Sequence, residues 1–189
     1  MPHDAPLDAH EHAEHAEHAA HSADPFIGRV SITIAILAVL AATAGSLETV
    51  EAGGAITASS EAVLKQDQAT DDWGFYEAKS IKKNLYTLAA DQGGAKAEDY
   101  KKTAEKNAKE EEGIQDKAKD AEKERDALLA SSRHHEARHH WLTGAATLLE
   151  VGIAICTVAI ITKRRAFWYA SILLGLLGLA ILGYSYLSI

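Results

Sequence analysis

The sequence predicts an all-α integral membrane protein with three transmembrane helices and a long extramembrane antiparallel helical hairpin between the first and second. Nearly all the charge lies in two blocks of the 189-residue chain. Residues 1–25 contain six acidic side chains and no Lys or Arg, and residues 48–140 contain 20 acidic and 15 basic ones. Apart from the basic loop 163–165, the rest of the chain forms three nearly uncharged stretches, each close to the roughly 20 residues that cross a bilayer as a helix. One globular domain with a single core is therefore not expected.

The three apolar stretches are assigned as transmembrane helices over residues 26–47, 141–162 and 166–189. Aromatic residues that favour the headgroup level, such as Trp141 and Tyr184, lie near the ends of these stretches. A cleaved signal peptide is the alternative for the first stretch. The acidic segment before it does not fit, because a signal peptide begins with a short positive region.

Basic residues near the spans predict the orientation. The loop 163–165 is Lys-Arg-Arg and is expected to be cytoplasmic, because short cytoplasmic loops are enriched in Lys and Arg. The N-terminus is then cytoplasmic, in agreement with Arg29, and the segment 48–140 faces outward. Arg133 and Arg138 favour the opposite orientation.

The segment 48–140 is predicted to fold as a helical hairpin with a turn near 91–95. Gly53-Gly54 and Gly93-Gly94 bracket the first arm, and the second pair fits a turn. An apolar stripe at helical spacing follows in that arm: Phe75, Ala78, Ile81, Leu85 and Leu88. The second arm carries a thin, Ala-rich seam typical of a coiled coil, and is expected to continue into the second span. Such a hairpin buries little apolar area, so a partner is expected, either further copies of the chain or another protein.

The ten histidines lie in two groups. The first group is in the tail 1–25, which is predicted to be disordered and His/Glu-rich. Imidazole and carboxylate groups suit Zn, Ni or Cu, so we expect at most loosely bound metal and no other cofactor. The candidate metal ligands are His12, His15, His18, His21, His135 and His139. His135 and His139 share a helix face, where they line a metal or proton site or are simply solvated.

Polar and small residues also mark the predicted spans. Glu150 lies in the middle of the second span, and an intramembrane carboxylate is by default a candidate functional site. It either packs and hydrogen-bonds between helices or relays protons or a cation. Gly152, Gly175 and Gly178 are predicted to allow close packing of helices.

A local motif spans residues 73–82, and its predicted interaction residues are Trp73, Phe75, Tyr76, Lys79, Ser80 and Lys82. This motif resembles the signature of an uncharacterised bacterial membrane family, domain of unknown function 4337. Glu77 stands where the family usually has Gln. The resemblance covers most of the chain and implies three spans in a bacterial inner membrane, so the hairpin is expected to be periplasmic. It implies no activity.

The function expected from the sequence is a non-enzymatic membrane scaffold or accessory subunit that contacts lipid and assembles with copies of itself or within a larger complex. One alternative is a small proton or cation pathway that uses Glu150. A second alternative is metal buffering or sensing by the His-rich tail. The acidic composition argues against nucleic-acid binding, which requires clustered basic residues.

Overall fold

A computed structural model describes residues 25–187, and they form three α-helices. The helices are α1 (Pro25–Asp91), α2 (Ala97–Thr162) and α3 (Arg165–Leu187), and no strand occurs within this range. Each helix contains a stretch long and apolar enough, by length and composition, to cross a membrane. The all-α fold class is therefore confirmed. The tail histidines and the last two residues of the predicted third span lie outside the described residues.

Two short turns connect the helices. Residues 92–96 separate α1 from α2, one position later than the predicted 91–95. Gly93 and Gly94 have φ of 76° and 105°, a backbone conformation that glycine adopts without steric cost. Residues 163 and 164 form the second turn, in which Lys163 has a φ of 53°. Arg165, predicted to lie in this loop, is the first residue of α3.

Both long helices continue without a break through residues of low helix propensity. Helix α1 is continuous across Gly53-Gly54, so this pair does not interrupt the helix where the predicted arm begins. A glycine in a helix costs about 1 kcal/mol relative to alanine, but it keeps the backbone hydrogen bond. Tertiary contacts therefore outweigh the low propensity. Helix α2 is unbroken from Ala97 to Thr162, as the sequence predicts for the second arm and span.

The described residues divide into two compact units, one of residues 25–55 with 133–187 and the other of residues 56–132. The first unit has an apolar core between α1 and α2. Its buried members are Val30, Ile34, Leu37, Ala38, Ala44, Ala146, Leu149, Ile153, Cys156 and Ala159. Helix α3 presents only small buried residues: Ser171, Gly175, Gly178 and Ser185. Small side chains let helix backbones approach closely.

The second unit buries mainly alanine. Its buried apolar residues are Ala58, Ala62, Ala69, Ala104, Ile114, Ala118 and Ala121. The seam predicted for α2 follows alternating steps of three and four residues. The four buried apolar residues of α2 lie at positions of this seam, and so do the buried polar residues Asn107 and Glu111. A contact lined by alanine removes little apolar area from water, so polar contacts must contribute much of its specificity.

Candidate functional site

The motif at residues 73–82 and the Lys83 that follows it form a polar interface with α2 inside the second unit. The indole N–H of Trp73 donates to Glu122 Oε1 at 2.9 Å. The ammonium groups of Lys79 and Lys83 donate to Glu110 and Glu111, each at 2.5 Å. Each of these three donors therefore contacts one acidic side chain of α2.

Glu111 is the most enclosed acid of this interface, with 6% of its surface exposed. Its carboxylate accepts a hydrogen bond from Lys83 at 2.5 Å. This bond is the largest cause that holds the pKa of Glu111 below its ordinary range, and the Tyr76 and Ser80 hydroxyls lower it further. The Lys79 bond lowers the pKa of Glu110 in the same way. The buried carboxylate thus joins the end of the motif to α2.

The predicted apolar stripe lies on a different face of α1 from the one that contacts α2. Phe75, Ile81, Leu85 and Leu88 are 56–61% exposed, and Ala78 is exposed too. The Lys79 ammonium lies 5.4 Å from the centroid of the Phe75 ring. The stripe is therefore a second, uncovered surface on the same stretch of helix, in agreement with the aromatic residues on several faces of the motif.

A polar cluster in the first unit contains the two predicted histidine ligands. Glu51 is buried, and its Oε2 lies 2.6 Å from His135 Nδ1 while its Oε1 lies 3.7 Å from an Arg138 nitrogen. His139 Nδ1 lies 3.8 Å from Glu48 Oε1, and it is a buried atom without a hydrogen-bond partner. The acids lie on α1 at a spacing of three and the histidines on α2 at a spacing of four, so both pairs face each other.

This cluster connects α1 to α2 through contacts between carboxylates and basic side chains. Within residues 25–187, no group of three or more His, Cys, Asp or Glu side chains is placed to hold a metal ion. A carboxylate oxygen lies 2.6 Å from a ring nitrogen of His135 and 3.8 Å from one of His139. These contacts fix α1 against α2 in the first unit. The other metal candidates, His12, His15, His18 and His21, lie outside the described residues.

Glu150 is exposed on the surface of α2. No hydrogen bond or ion pair of this carboxylate is found among residues 25–187. The neighbouring polar groups have other partners: the Thr147 hydroxyl donates to the Thr143 carbonyl, and Cys156 Sγ lies 2.9 Å from Ser171 Oγ. Within residues 25–187, these contacts of Thr147 and Cys156 do not lead to Glu150.

The three predicted packing glycines lie where helices approach each other closely in the first unit. A Cβ added at Gly175 would lie 2.5 Å from Leu37 Cδ2, and one at Gly178 would lie 3.0 Å from Leu149 Cγ. A Cβ at Gly152 would lie 3.3 Å from the Ser171 carbonyl oxygen. All three positions thus leave no room for a side chain without movement of a neighbour.

A family model described as domain of unknown function (DUF4337) matches residues 26–188. The chain belongs to this family. No curated protein and no solved structure matches it significantly. The match covers all three helices of this DUF4337 chain, including the motif at 73–82 and the polar cluster around Glu51.

Several residues of these sites do not stand out in the sequence. Glu48 and Glu51 follow the first apolar stretch at a spacing of three, which complements the spacing of four between His135 and His139. That pairing is the available signal for them. Glu111 lies at a position of the predicted seam. Glu110 and Glu122 sit in a long run of acids, and nothing in the sequence separates these two from exposed ones such as Glu112.

Proposed function

We propose that this chain is a non-enzymatic integral membrane scaffold or accessory subunit that assembles through its helical hairpin and its small-residue transmembrane faces. The observation that supports this proposal is the exposed apolar surface of α1 within the charged second unit. Seven large apolar side chains there are more than half exposed: Ile56, Val63, Leu64, Phe75, Ile81, Leu85 and Leu88. Large exposed apolar side chains that cluster on a soluble surface, as those of residues 75–88 do, are typical of a protein interaction site.

Membrane insertion of the first unit is supported by its surface. The outward face of α3 is rich in leucine, and Leu173, Leu176 and Leu177 are 48–61% exposed. Such a face is stable in contact with lipid tails and costly in water. The paired contacts of 56–91 with 97–132 support an antiparallel hairpin outside the membrane. The basic residues 163–165 favour a cytoplasmic loop and hence a periplasmic hairpin in a bacterial inner membrane.

The exposed face of α2 around Glu150 supports assembly within the membrane. Gly144, Thr147 and Ala154 are also exposed on this face, so a neighbouring helix can approach closely. An acidic side chain at the centre of a transmembrane helix costs about 2.5–3.5 kcal/mol by insertion scales. A neighbouring helix that hydrogen-bonds to the Glu150 side chain would reduce this cost.

The test is the native mass of the full-length protein extracted gently from its own membrane, with the co-purified proteins identified. We expect several copies of the chain, or a second protein at constant stoichiometry. A chain that migrates alone, with only lipid or detergent bound, would contradict the scaffold function. The Glu150→Gln variant is expected to assemble as the wild type does, because glutamine keeps the hydrogen-bonding capacity of a neutral carboxyl.

A proton or cation pathway through Glu150 is the second candidate, favoured by the unpaired position of this carboxylate. In this case several copies would surround Glu150, with His135 and His139 at the mouth of the pathway. The experiment is ion or proton flux into liposomes that contain the purified protein. A pathway predicts that Glu150→Gln abolishes the flux while the native mass is unchanged. The scaffold predicts no flux specific to the wild-type protein.

A further inference from the structure

We propose that two or more copies of this chain pair in parallel through the uncovered stripe of α1, as a short coiled coil whose register is set by Glu77 and Lys82. This inference rests on the proposed function, because it names the partner and the contact surface of the scaffold.

The spacing of the stripe is that of a coiled-coil seam. Ala78, Ile81, Leu85 and Leu88 are separated by three, four and three residues, so they occupy successive a and d positions of a heptad. All four are exposed in the single chain. The preceding positions of the same pattern are Gly74 and Asp71, so the seam ends there.

The opposite face of the same helical turns is already used. Trp73, Tyr76, Lys79 and Lys83 contact acids of α2, and the ring of Tyr86 lies 5.9 Å from that of Tyr100. These residues take the b, c and f positions of the heptad. The second unit therefore does not need the a/d stripe to hold its two helical segments together, and the stripe is free to bind another molecule.

The charges that flank the seam favour a second copy as that molecule. Glu77 takes a g position and Lys82 the e position five residues later, and both are exposed. In a parallel, in-register pair, a g residue of one helix faces the e residue of the next heptad on the other. Glu77 of each copy would therefore meet Lys82 of the other, which gives two symmetric ion pairs.

Insertion in one membrane supplies the parallel direction. Copies that share a topology place their α1 helices in the same direction, and a two-fold axis along the membrane normal brings identical surfaces together. Two heptads are short for a coiled coil between free helices. Here the helix is already formed, and membrane confinement raises the effective concentration of one copy near another.

The first test is cysteine cross-linking in native membranes, in a Cys156→Ala background that removes the only native thiol. Ile81→Cys and Leu85→Cys are expected to form a disulfide-linked dimer on mild oxidation. Thr87→Cys is the matched control, because it is exposed and lies on the same turns but away from the seam. Equal cross-linking at all three positions would contradict the inference.

The second test reverses the flanking charges in the Leu85→Cys protein. Glu77→Lys and Lys82→Glu alone place like charges opposite each other and are expected to lower the dimer yield several-fold. The two changes together are expected to restore it. A double variant that stays as low as the single ones would exclude the parallel register.

The native mass of the wild-type protein separates failure of this inference from failure of the scaffold function. Multi-copy particles without cross-linking at Ile81 and Leu85 would refute the seam and leave the scaffold standing. A second protein bound to one copy of the chain would do the same. A chain found alone would refute both proposals.

Discussion

At the scale of single residues, the close contact between Gly54 and His135 shows how one position controls a polar cluster. A Cβ added at Gly54 would lie 2.9 Å from His135 Nδ1, the atom that faces the buried Glu51 carboxylate. The imidazole must therefore move if this glycine gains a side chain. Movement would leave Glu51 with Arg138 at 3.7 Å as its remaining partner, and a buried carboxylate that loses a partner is costly.

We predict that Gly54→Ala destabilises the protein relative to Gly53→Ala. Both changes raise helix propensity by up to about 1 kcal/mol. Only the first meets His135, because nothing lies within 4 Å of a Cβ added at Gly53. Loss of one buried charge-assisted hydrogen bond costs about 1.5–3 kcal/mol. Thermal unfolding in lipid nanodiscs should place Gly54→Ala below the wild type and Gly53→Ala at or above it. Equal unfolding temperatures for both variants would contradict this prediction.

The Glu110 and Glu111 carboxylates predict an acid sensitivity of the second unit. Their lowered pKa values mean that they contribute stability fully above the ordinary carboxyl pKa of about 4.3. That contribution is lost as the pH falls through the lower pKa of the folded state. At pH values below about 4.3, the unfolding temperature should therefore decrease as the pH decreases. This decrease should be less steep in Glu111→Gln.

Glu112→Gln is the control for this pH dependence. Glu112 is adjacent in sequence but exposed, so its removal should leave the slope of unfolding temperature against pH close to that of the wild type. The quantity to measure is that slope for each purified variant. A slope in Glu111→Gln equal to that of the control would show that the contacts of this carboxylate do not stabilise the folded state.

At the scale of helices, the contact of α3 with α1 depends on the absence of a side chain at Gly175. We predict that Gly175→Ala lowers the unfolding temperature, because the new methyl group would overlap the buried Leu37 side chain. Overpacking of this kind typically costs about 1–3 kcal/mol.

The chain offers both a control and a compensating change for this prediction. Gly183→Ala lies in the same helix and meets nothing within 4 Å, so it should leave the unfolding temperature nearly unchanged. Leu37→Ala combined with Gly175→Ala removes the overlapping atoms, and the loss from the double variant should be smaller than the sum of the two single losses. Additive losses would mean that the two residues are not in contact.

Helix composition shows which features the sequence can predict. The long apolar stretches are sufficient to predict three helices, and the glycine pair at positions 93 and 94 is sufficient to predict the first turn. The period of α2 also identifies its buried face, from Ala104 to Ala121. The pairing of Glu51 with His135 depends on two residues 84 positions apart. Periodicity within one helix contains no information about which turn of another helix lies opposite, so such pairs are not predictable from one sequence.

The stripe at 75–88 illustrates the same limit. Its spacing indicates an apolar face, yet spacing does not say whether that face is covered by α2 or left open. The neighbouring Trp73, Tyr76 and Lys83 occupy the contact with α2 through hydrogen bonds and charge. In this part of α1 the polar face contacts α2 and the apolar face is exposed. This is the reverse of the arrangement expected for a helix of a soluble protein.

At the scale of the whole molecule, the charge distribution predicts the topology. One apolar stretch separates the turn at residues 92–96 from the loop at 163–164, so the two should lie on opposite sides of the membrane. Excess Lys and Arg in short loops favours the cytoplasmic side, and residues 163–165 are all basic. We therefore expect residue 92 in the periplasm and residue 162 next to the cytoplasm.

Single cysteines at these two places test this topology in a Cys156→Ala background. Gln92→Cys and Thr162→Cys replace exposed residues and preserve every charge of the chain. A membrane-impermeant maleimide added to bacterial spheroplasts should label Gln92→Cys directly and Thr162→Cys only after the membrane is permeabilised. The opposite labelling pattern would show the reverse orientation. The hairpin and the apolar stripe of α1 would then face the cytoplasm. Labelling of both positions in intact spheroplasts would mean that the second apolar stretch does not cross the membrane.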